Sequence, residues 1–527
     1  MNRNEQLKKL NEEQIWDIVI IGGGANGLGV AVDSASRGFK TVLFEAVDFA
    51  KGTSSRSTKL VHGGVRYLEQ GNIALVIEAL QERGIMAQNA AHLVKNESFI
   101  IPNYNWWGGL FYTIGLKFYD LLAGKLSLGS SKFLSKKQTI AQIPSIEQKG
   151  LRSGVLYHDG QFDDSRLAIN LAQTAIEQGA CVLNHFKVIQ LLKNNKKQII
   201  GVKVIDQETQ IEYTIKCKAV INATGVFTNA IMKMNDAVYK KYIIPSQGIH
   251  LVFDKSFLPG DNALMIPKTS DGRVLFAVPW HNKIVVGTTD TLVKKTDIEP
   301  IALEEEIQFV LETAQRYLTK KPTRADVLSV FAGLRPLSVP GKKEQNTKEV
   351  SRSHKIIISK TGLISVTGGK WTTYRKIAED TVNRTIEVHK LPKRKSDTKR
   401  LSIHGNKANS SADFENHLLV YGTDADAILE LQKDEHELTE KLHPNYEYTL
   451  AEVVWAIRHE MAITVEDILA RRVRLLFLDA RAAIESSRKV AYLLAKELGY
   501  DETWIQNQLV DFKAVANGFL LKEFRLP

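Results

Sequence analysis

The sequence predicts an α/β plus α protein: an α/β domain assembled from separate stretches of chain, a mainly antiparallel sheet threaded between them, and a helical C-terminal domain. Three observations carry this. Near the start, an apolar run, a glycine turn, a small-residue helix and a second apolar run follow one another. In the middle, short segments alternate apolar and polar residues. Beyond about residue 390, apolar residues recur at helical spacing.

The first unit is the most explicit. "WDIVII", residues 16–21, has the continuous apolar character of a strand buried on both faces, "ANGLGVAVDSASRG" is a helix and "TVLFEA" a second strand. Between strand and helix, Gly22, Gly24 and Gly27 form G-x-G-x-x-G, with Asn26 inside the motif. The first glycine permits the tight turn, the second lets backbone approach a pyrophosphate, and the third lets helix and strand pack closely. The helix N-terminus favours the phosphate charge. Glu45, at the end of the second strand, can accept hydrogen bonds from an adenosine ribose, which favours FAD or NAD over NADP.

Later segments choose between those two. "VINATGVFTN", residues 220–229, is a strand ending in Ala223, Thr224 and Gly225, as where a second crossing of the sheet passes bound FAD in flavoproteins with two-dinucleotide folds. "GLISVTGGKWTTYRKIAED", residues 362–380, returns the chain once more as strand, glycine turn and helix. A helix starting after Gly368 and Gly369 can aim its positive end at the flavin's pyrimidine side, with Gly369, Lys370, Trp371 and Thr372 in contact with the cofactor. FAD is therefore the expected cofactor. The loop "SSRSTKLVHGGVRYLE" adds hydroxyls at Ser54, Ser55 and Thr58 for the pyrophosphate or ribitol, and His62, Gly63 and Gly64 near the flavin; Arg56 has no evident role.

Middle segments "GIHLVF", "RVLFAV" and "KIVVGTTD" read as strands, the last two joined by a turn through Trp280, His281 and Asn282. "LPKRKSDTKR" is a charged linker, and "VEDILARRVRLLFLDARAAIESSRKVAYLLAKEL" has helical spacing. The expected division is a discontinuous FAD domain within residues 1–395 (about 15–95, 145–235 and 350–390), an interleaved substrate domain (about 96–144 and 236–349), and helices over 396–527.

Composition excludes several classes. A hydrophobic share of 44% and a charged share of 24% are those of a soluble globular chain, not a disordered or fibrous one. The net charge of +11 attracts anions without choosing among metabolite, lipid and nucleic acid. The arginines of "ARRVRLLF" alternate with apolar residues on a packed helix, so nucleic acid is not the expected partner. Two cysteines, Cys181 and Cys217, form no metal-ligand pattern; no metal is expected, and a reducing cytosolic setting fits. The polar N-terminus lacks a secretory signal.

Residues 99–116, "FIIPNYNWWGGLFYTIGL", carry no charge, yet Pro102 and three glycines argue against a spanning helix. Lys117, Lys125, Lys132, Lys136 and Lys137 follow among aromatics, so residues 99–137 suit either a segment lying in the lipid headgroup layer or a buried aromatic contact fringed by lysines.

Together, "IGGGANGLG", "TSSRSTKLVHGGVRYLE", "NATG", "AGLRPL" and "TGGKWTTYRK" resemble the FAD-dependent glycerol-3-phosphate dehydrogenases and oxidases of the D-amino-acid-oxidase-like group, from about residue 15 to the end. The resemblance implies oxidation of sn-glycerol 3-phosphate to dihydroxyacetone phosphate by hydride transfer from C2 to FAD, with electrons passed to a membrane quinone. Phosphate recognition calls for guanidinium and ammonium groups. Arg66, Arg335 and Lys370 match the family positions around substrate, as catalytic and binding groups; Tyr67, His250 and Arg352 match positions nearby. His250 is the candidate general base, because its intrinsic pKa suits proton acceptance near neutrality. A quinone acceptor favours the membrane reading of residues 99–137 and a peripheral place on the cytoplasmic face of the cell membrane; a homodimer is compatible with it. The rivals are an oxidase that makes hydrogen peroxide, whose family members carry a middle insertion for which 527 residues leave little room, an amine oxidase, and a protein that binds FAD without catalysis.

Overall fold

A computed structural model describes the chain except residues 65–71, 106–107, 240, 270–271, 339–353, 408–411 and 527. Two sheets share the molecule. The first, of eight strands, runs in the order Lys355–Ile358, Ile364–Thr367, Glu212–Asn222, Trp16–Ile21, Thr41–Phe44, Cys181–Leu183, with the four central pairings parallel and the Lys355–Ile358 edge antiparallel. Ile199–Asp206 adds antiparallel to Glu212–Asn222, and Phe186–Lys193 antiparallel to Ile199–Asp206. Ile18, Val19 and Ile20 are fully buried. Helices cover the sheet, so both faces of a strand lose water and the apolar run need not alternate. The helices Ala25–Ser36 and Tyr374–His389 meet so closely that a Cβ on Gly29 would lie 2.9 Å from the Tyr374 ring.

The second sheet has ten strands and is mainly antiparallel. Ile243–Asp254 pairs with Ser329–Ser338 from Ile243↔Ser338 to Val252↔Ser329, and with Lys283–Gly287 on its other edge. Leu275–Trp280 and Lys283–Gly287 form the expected hairpin. Its two turn residues, His281 (φ 47°) and Asn282 (φ 57°), are both left-handed, which matches the right-handed twist of the flanking strands. The sheets cross the boundaries expected from sequence. Ser153–Phe162 and Leu60–Val61 fall inside the stretches assigned to the FAD domain, yet both pair into the second sheet. Ten consecutive partners, Val94↔Phe162 to Asn103↔Ser153, hold the longer strand there, and a run of apolar residues does not say which sheet it joins.

The α/β plus α architecture is completed by helices Ala425–Asp434, Leu450–His459, Ala480–Leu498 and Glu502–Asn517. The helical run expected through "VEDILARRVRLLF" is broken: a π-helix spans Asp467–Arg472, Arg474 turns left-handed (φ 64°), and Leu475–Leu478 restarts the helix. The break lets Arg471, Arg472 and Arg474, all buried, reach carboxylates on separate elements.

Residues 99–137 do not act as one segment. Val94–Asn103 is a strand whose Phe99, Ile100 and Ile101 are fully buried, whereas helix Gly108–Ala123 leaves Leu110, Phe111, Ile114, Phe118 and Leu121 exposed. The membrane-facing reading therefore contracts to the helix and to Phe133, because strand pairing buries the first part. No helix among the described residues is long and apolar enough to cross a membrane.

Candidate functional site

A large cavity of about 1220 Å³ is lined by residues of both sheets. Its cofactor end is built by the glycine turn. Gly22 has φ 110°, a conformation that side chains rarely adopt, and a Cβ there would lie 2.8 Å from the Ala223 carbonyl oxygen. A Cβ on Gly27 would lie 1.8 Å from the Gly22 carbonyl oxygen, so the third glycine serves helix packing and stands behind the wall. Gly22, Gly24 and Asn26 line the cavity, and Gly24 caps helix Ala25–Ser36 with no side-chain hydrogen bond of its own. Ser54 Oγ accepts from the Ala25 amide at 3.0 Å and closes the turn.

Glu45 lines the same end, its carboxylate accepting from the Gly23 amide (2.6 Å) and the Val47 amide (3.0 Å). Burial raises its pKa above the usual carboxylate value against those two bonds. Opposite, Ala223, Thr224 and Gly225 line the wall, and Thr224 is held by its hydroxyl on Asn222 Oδ1 (2.7 Å). Gly369, Lys370, Trp371 and Thr372 complete it; Trp371 Nε1 donates to the Ser54 carbonyl at 2.8 Å, and Asn26 Nδ2 donates to the Gly368 carbonyl at 3.2 Å. Loops distant in sequence thus interlock around a cradle of backbone amides and glycines, the chemistry a dinucleotide requires.

The same cavity is also lined by His62, Gly64, Thr58, His250 and Arg335. His62 takes its place through its backbone, the amide donating to Thr372 Oγ1 at 3.2 Å. Arg335 donates to the Thr289 carbonyl (2.9 Å) and to Thr288 Oγ1 (3.0 Å), with Asp290 at 3.6 Å. His250 is 2% exposed, lies on Phe331 with ring centroids 4.9 Å apart, and shares a hydrogen bond with Thr58 Oγ1 through Nε2 (2.9 Å). Burial, and then the charges of Lys59 and Arg335, hold its pKa well below the ordinary histidine value. The ordinary basicity assumed from sequence is thereby corrected: the imidazole is neutral at neutral pH and a weaker base.

Comparisons with known proteins bear on the family and the fold. Residues 17–375 match the family model of the FAD dependent oxidoreductases, and residues 359–504 match that of the C-terminal domain of alpha-glycerophosphate oxidase. The mitochondrial glycerol-3-phosphate dehydrogenase of Schizosaccharomyces pombe is 38% identical, over 95% of this chain and 87% of that protein. The chain belongs to the FAD-dependent glycerol-3-phosphate dehydrogenase family. The human mitochondrial member is also 38% identical, over 96% of this chain and 74% of its own. The solved glycerol-3-phosphate dehydrogenase of Bacillus halodurans, complexed with FAD, superposes with a TM-score of 0.81 at 28% identity, covering 100% of this chain and 99% of that one.

Within this dehydrogenase-family chain, not every residue singled out from sequence reaches the cavity. Ser55 is buried away from it, its carbonyl accepting from Lys59 and Arg474, and Gly63 packs under Tyr119, whose hydroxyl accepts from the Gly63 amide at 2.9 Å. Both sit in a loop whose alternate residues must face the protein to anchor it. Arg66, Tyr67 and Arg352 lie outside the described residues. Arg56 gains a role: it is buried, donates to the Ala332 carbonyl (3.0 Å) and pairs with Glu299 (2.6 Å), tying the cofactor loop to the second sheet. Thr288, Thr289 and Asp290, which orient Arg335, were missed, because only the strand register brings "GTTD" beside "AGLRPL".

Among the described residues, Asp48, His185 and Asp467 have metal-ligand spacing, but Arg471 donates to both carboxylates and Arg472 forks onto Asp48 at 2.7 and 3.0 Å. Guanidinium charge fills that cluster.

Proposed function

We propose that this protein oxidises sn-glycerol 3-phosphate to dihydroxyacetone phosphate and passes the electrons to a membrane quinone. The observation that supports the reading is that Arg335, Lys370 and neutral His250 line the same cavity as the glycine cradle. When bound, FAD supplies the two-electron acceptor that takes the hydride from C2. Gly22, Gly24 and the amides at the start of helix Ala25–Ser36 hold its pyrophosphate, and Glu45 accepts from its ribose. Arg335 and Lys370 bind the substrate phosphate, joined by Arg66, Arg352 and Tyr67 as the family resemblance implies. Arg335, braced by Thr288 and Thr289, offers a guanidinium already oriented before substrate arrives. His250, neutral at neutral pH, takes the hydroxyl proton as C2 is oxidised.

The exposed face of helix Gly108–Ala123 supports a peripheral position on the cytoplasmic face of the membrane: Phe111, Ile114 and Leu121 are 63%, 63% and 73% exposed, where a water-facing helix carries polar groups. A quinone lives in the bilayer, so an enzyme that reduces it must sit there.

Anaerobic addition of glycerol 3-phosphate should bleach the flavin, and mixing with a quinone analogue should restore its colour faster than mixing with oxygen. Rapid reoxidation by oxygen with stoichiometric peroxide would make the protein an oxidase. Arg335→Leu should raise KM for glycerol 3-phosphate by about two orders of magnitude, the loss of a charge-assisted contact of roughly 2–3 kcal/mol. An unchanged KM excludes Arg335 from phosphate binding.

A further inference from the structure

Lys59 is 1% exposed and takes no part in the cavity wall. Its Nζ donates to Asp164 Oδ2 and to the Ser55 carbonyl, both at 2.6 Å. On the other side of that carboxylate, Arg474 of the C-terminal domain donates to Asp164 Oδ1 at 2.9 Å. Both cations stand on left-handed backbone, Lys59 at φ 63° and Arg474 at φ 64°, a conformation that non-glycine residues keep only where the surroundings enforce it. Two strained residues from distant parts of the chain thus meet at one buried carboxylate.

The surroundings of Lys59 lead to His250. Nζ lies 5.1, 5.2 and 5.3 Å from the ring centroids of Trp280, Phe477 and Phe331. Phe331 is the ring on which His250 stacks, and Thr58, next to Lys59 in the chain, is bonded to His250 Nε2.

We propose that Lys59, clamped by Asp164 and Arg474, is a positioning residue for the oxidation: its ammonium, set behind the Phe331 ring on which His250 stacks and beside the Thr58 that bonds His250, adds to burial in tuning how His250 accepts the substrate's hydroxyl proton. The proposal rests on the reading of His250 as the proton acceptor. It also makes the C-terminal domain part of the catalytic arrangement, because Arg474 helps to fix the carboxylate that fixes Lys59.

The other charged groups around His250 fit this balance. Arg335 approaches from strand Ser329–Ser338 with Asp290 as its counter-ion at 3.6 Å, and Lys370 lines the same cavity. The neighbouring strand presents Gly287 opposite His250 and brings no charge there. Behind Lys59 stand Asp164, Asp163, Arg474 and His281, the last bonded to Asp163 at 3.1 Å. Burial pushes the Lys59 ammonium down to about 7 against the opposing pull of Asp164, so it is charged in the acid range where His250 takes up its proton.

The experiment has two readouts. In the first, the single-site signals of 13Cε1-histidine-labelled protein are titrated, with His250 assigned by its absence in His250→Asn. Lys59→Gln, which keeps a donor for Asp164, should raise the His250 titration by about one pH unit, the usual reach of one nearby charge, and Lys59→Arg should leave it in place. In the second, kcat/KM for glycerol 3-phosphate with a soluble dye acceptor is followed against pH on the FAD-loaded enzyme. Its acid limb should rise with the same shift in Lys59→Gln, return in Lys59→Arg and vanish in His250→Asn. Thermal unfolding checks that each variant folds, and Lys59→Met replaces Lys59→Gln should the latter not. A His250 signal unmoved by loss of the Lys59 charge overturns the inference. An acid limb that persists in His250→Asn overturns the proton-acceptor reading instead, whatever the His250 signal does.

Discussion

Two basic, apolar-rich segments of this chain end in opposite environments. Helix Gly108–Ala123 and the lysines after it expose their apolar side chains, Leu121 at 73%, while "LARRVR" buries its arginines to within 2%. Arg472 illustrates the second case: its guanidinium forks onto Asp48 and donates to the Glu460 carbonyl through its two terminal nitrogens, so its charge is paired inside the protein. A planar guanidinium tolerates such burial because it can make several hydrogen bonds at once, whereas an exposed apolar stripe has no comparable satisfaction in water. Charge and hydropathy in sequence therefore do not decide exposure; the available partners do.

The largest test of this contrast removes a buried partner. Arg472→Met leaves Asp48 with less than its full set of donors, and the expected loss of stability is about 3–5 kcal/mol, read as a fall in denaturant midpoint. A loss below ~1 kcal/mol would mean that Arg471 and Asn184, which also bond Asp48, suffice. The opposite end of the comparison predicts little change in stability and a large change in association. Ile114→Glu combined with Leu121→Glu should alter unfolding by no more than ~0.5 kcal/mol and weaken binding to anionic lipid vesicles by ~10-fold or more, as two apolar side chains cease to be buried there. Equal vesicle binding by the variant would remove the helix from the membrane reading.

The smallest expected effect lies between these extremes, at half-buried His404. Burial lowers its pKa, but hydrogen bonds and charge from Asp424 (2.9 Å) and Glu177 outweigh it and raise the value to about 9. A raised folded value means that the ion pair contributes fully below pH 6.5 and that this contribution is lost between about 6.5 and 9. The Tm difference between the parent protein and His404→Gln should therefore be greatest at pH 6 and shrink by pH 9.5. A constant difference across that range would assign the stabilisation to packing.

Much of the fold and of the cofactor end was legible because local chemistry specified it. The strands Trp16–Ile21 and Thr41–Phe44, the glycine turn and the return at Gly368 and Gly369 follow from apolar runs and backbone demands that neighbouring residues impose. The lining around His250 and Arg335 was legible only in part. His250 and Arg335 were identifiable by family likeness, but the braces on Arg335 and the depressed basicity of His250 come from strands and loops paired across long stretches of chain. Ser55 and Gly63, read as cofactor contacts, turn inward because anchoring a loop requires some of its residues to face the protein.

By itself the sequence determined which segments form strands and helices, the order α/β plus α, and the site where a dinucleotide's phosphates can approach backbone. These depend on residues within a few positions of one another. Tertiary structure alone decided which sheet Ser153–Phe162 joins, why the C-terminal helix breaks at Arg474, and which of two basic segments meets water. Those outcomes depend on partners hundreds of residues away, such as Asp164 for Arg474, and a charge is buried or exposed according to whether such a partner waits for it.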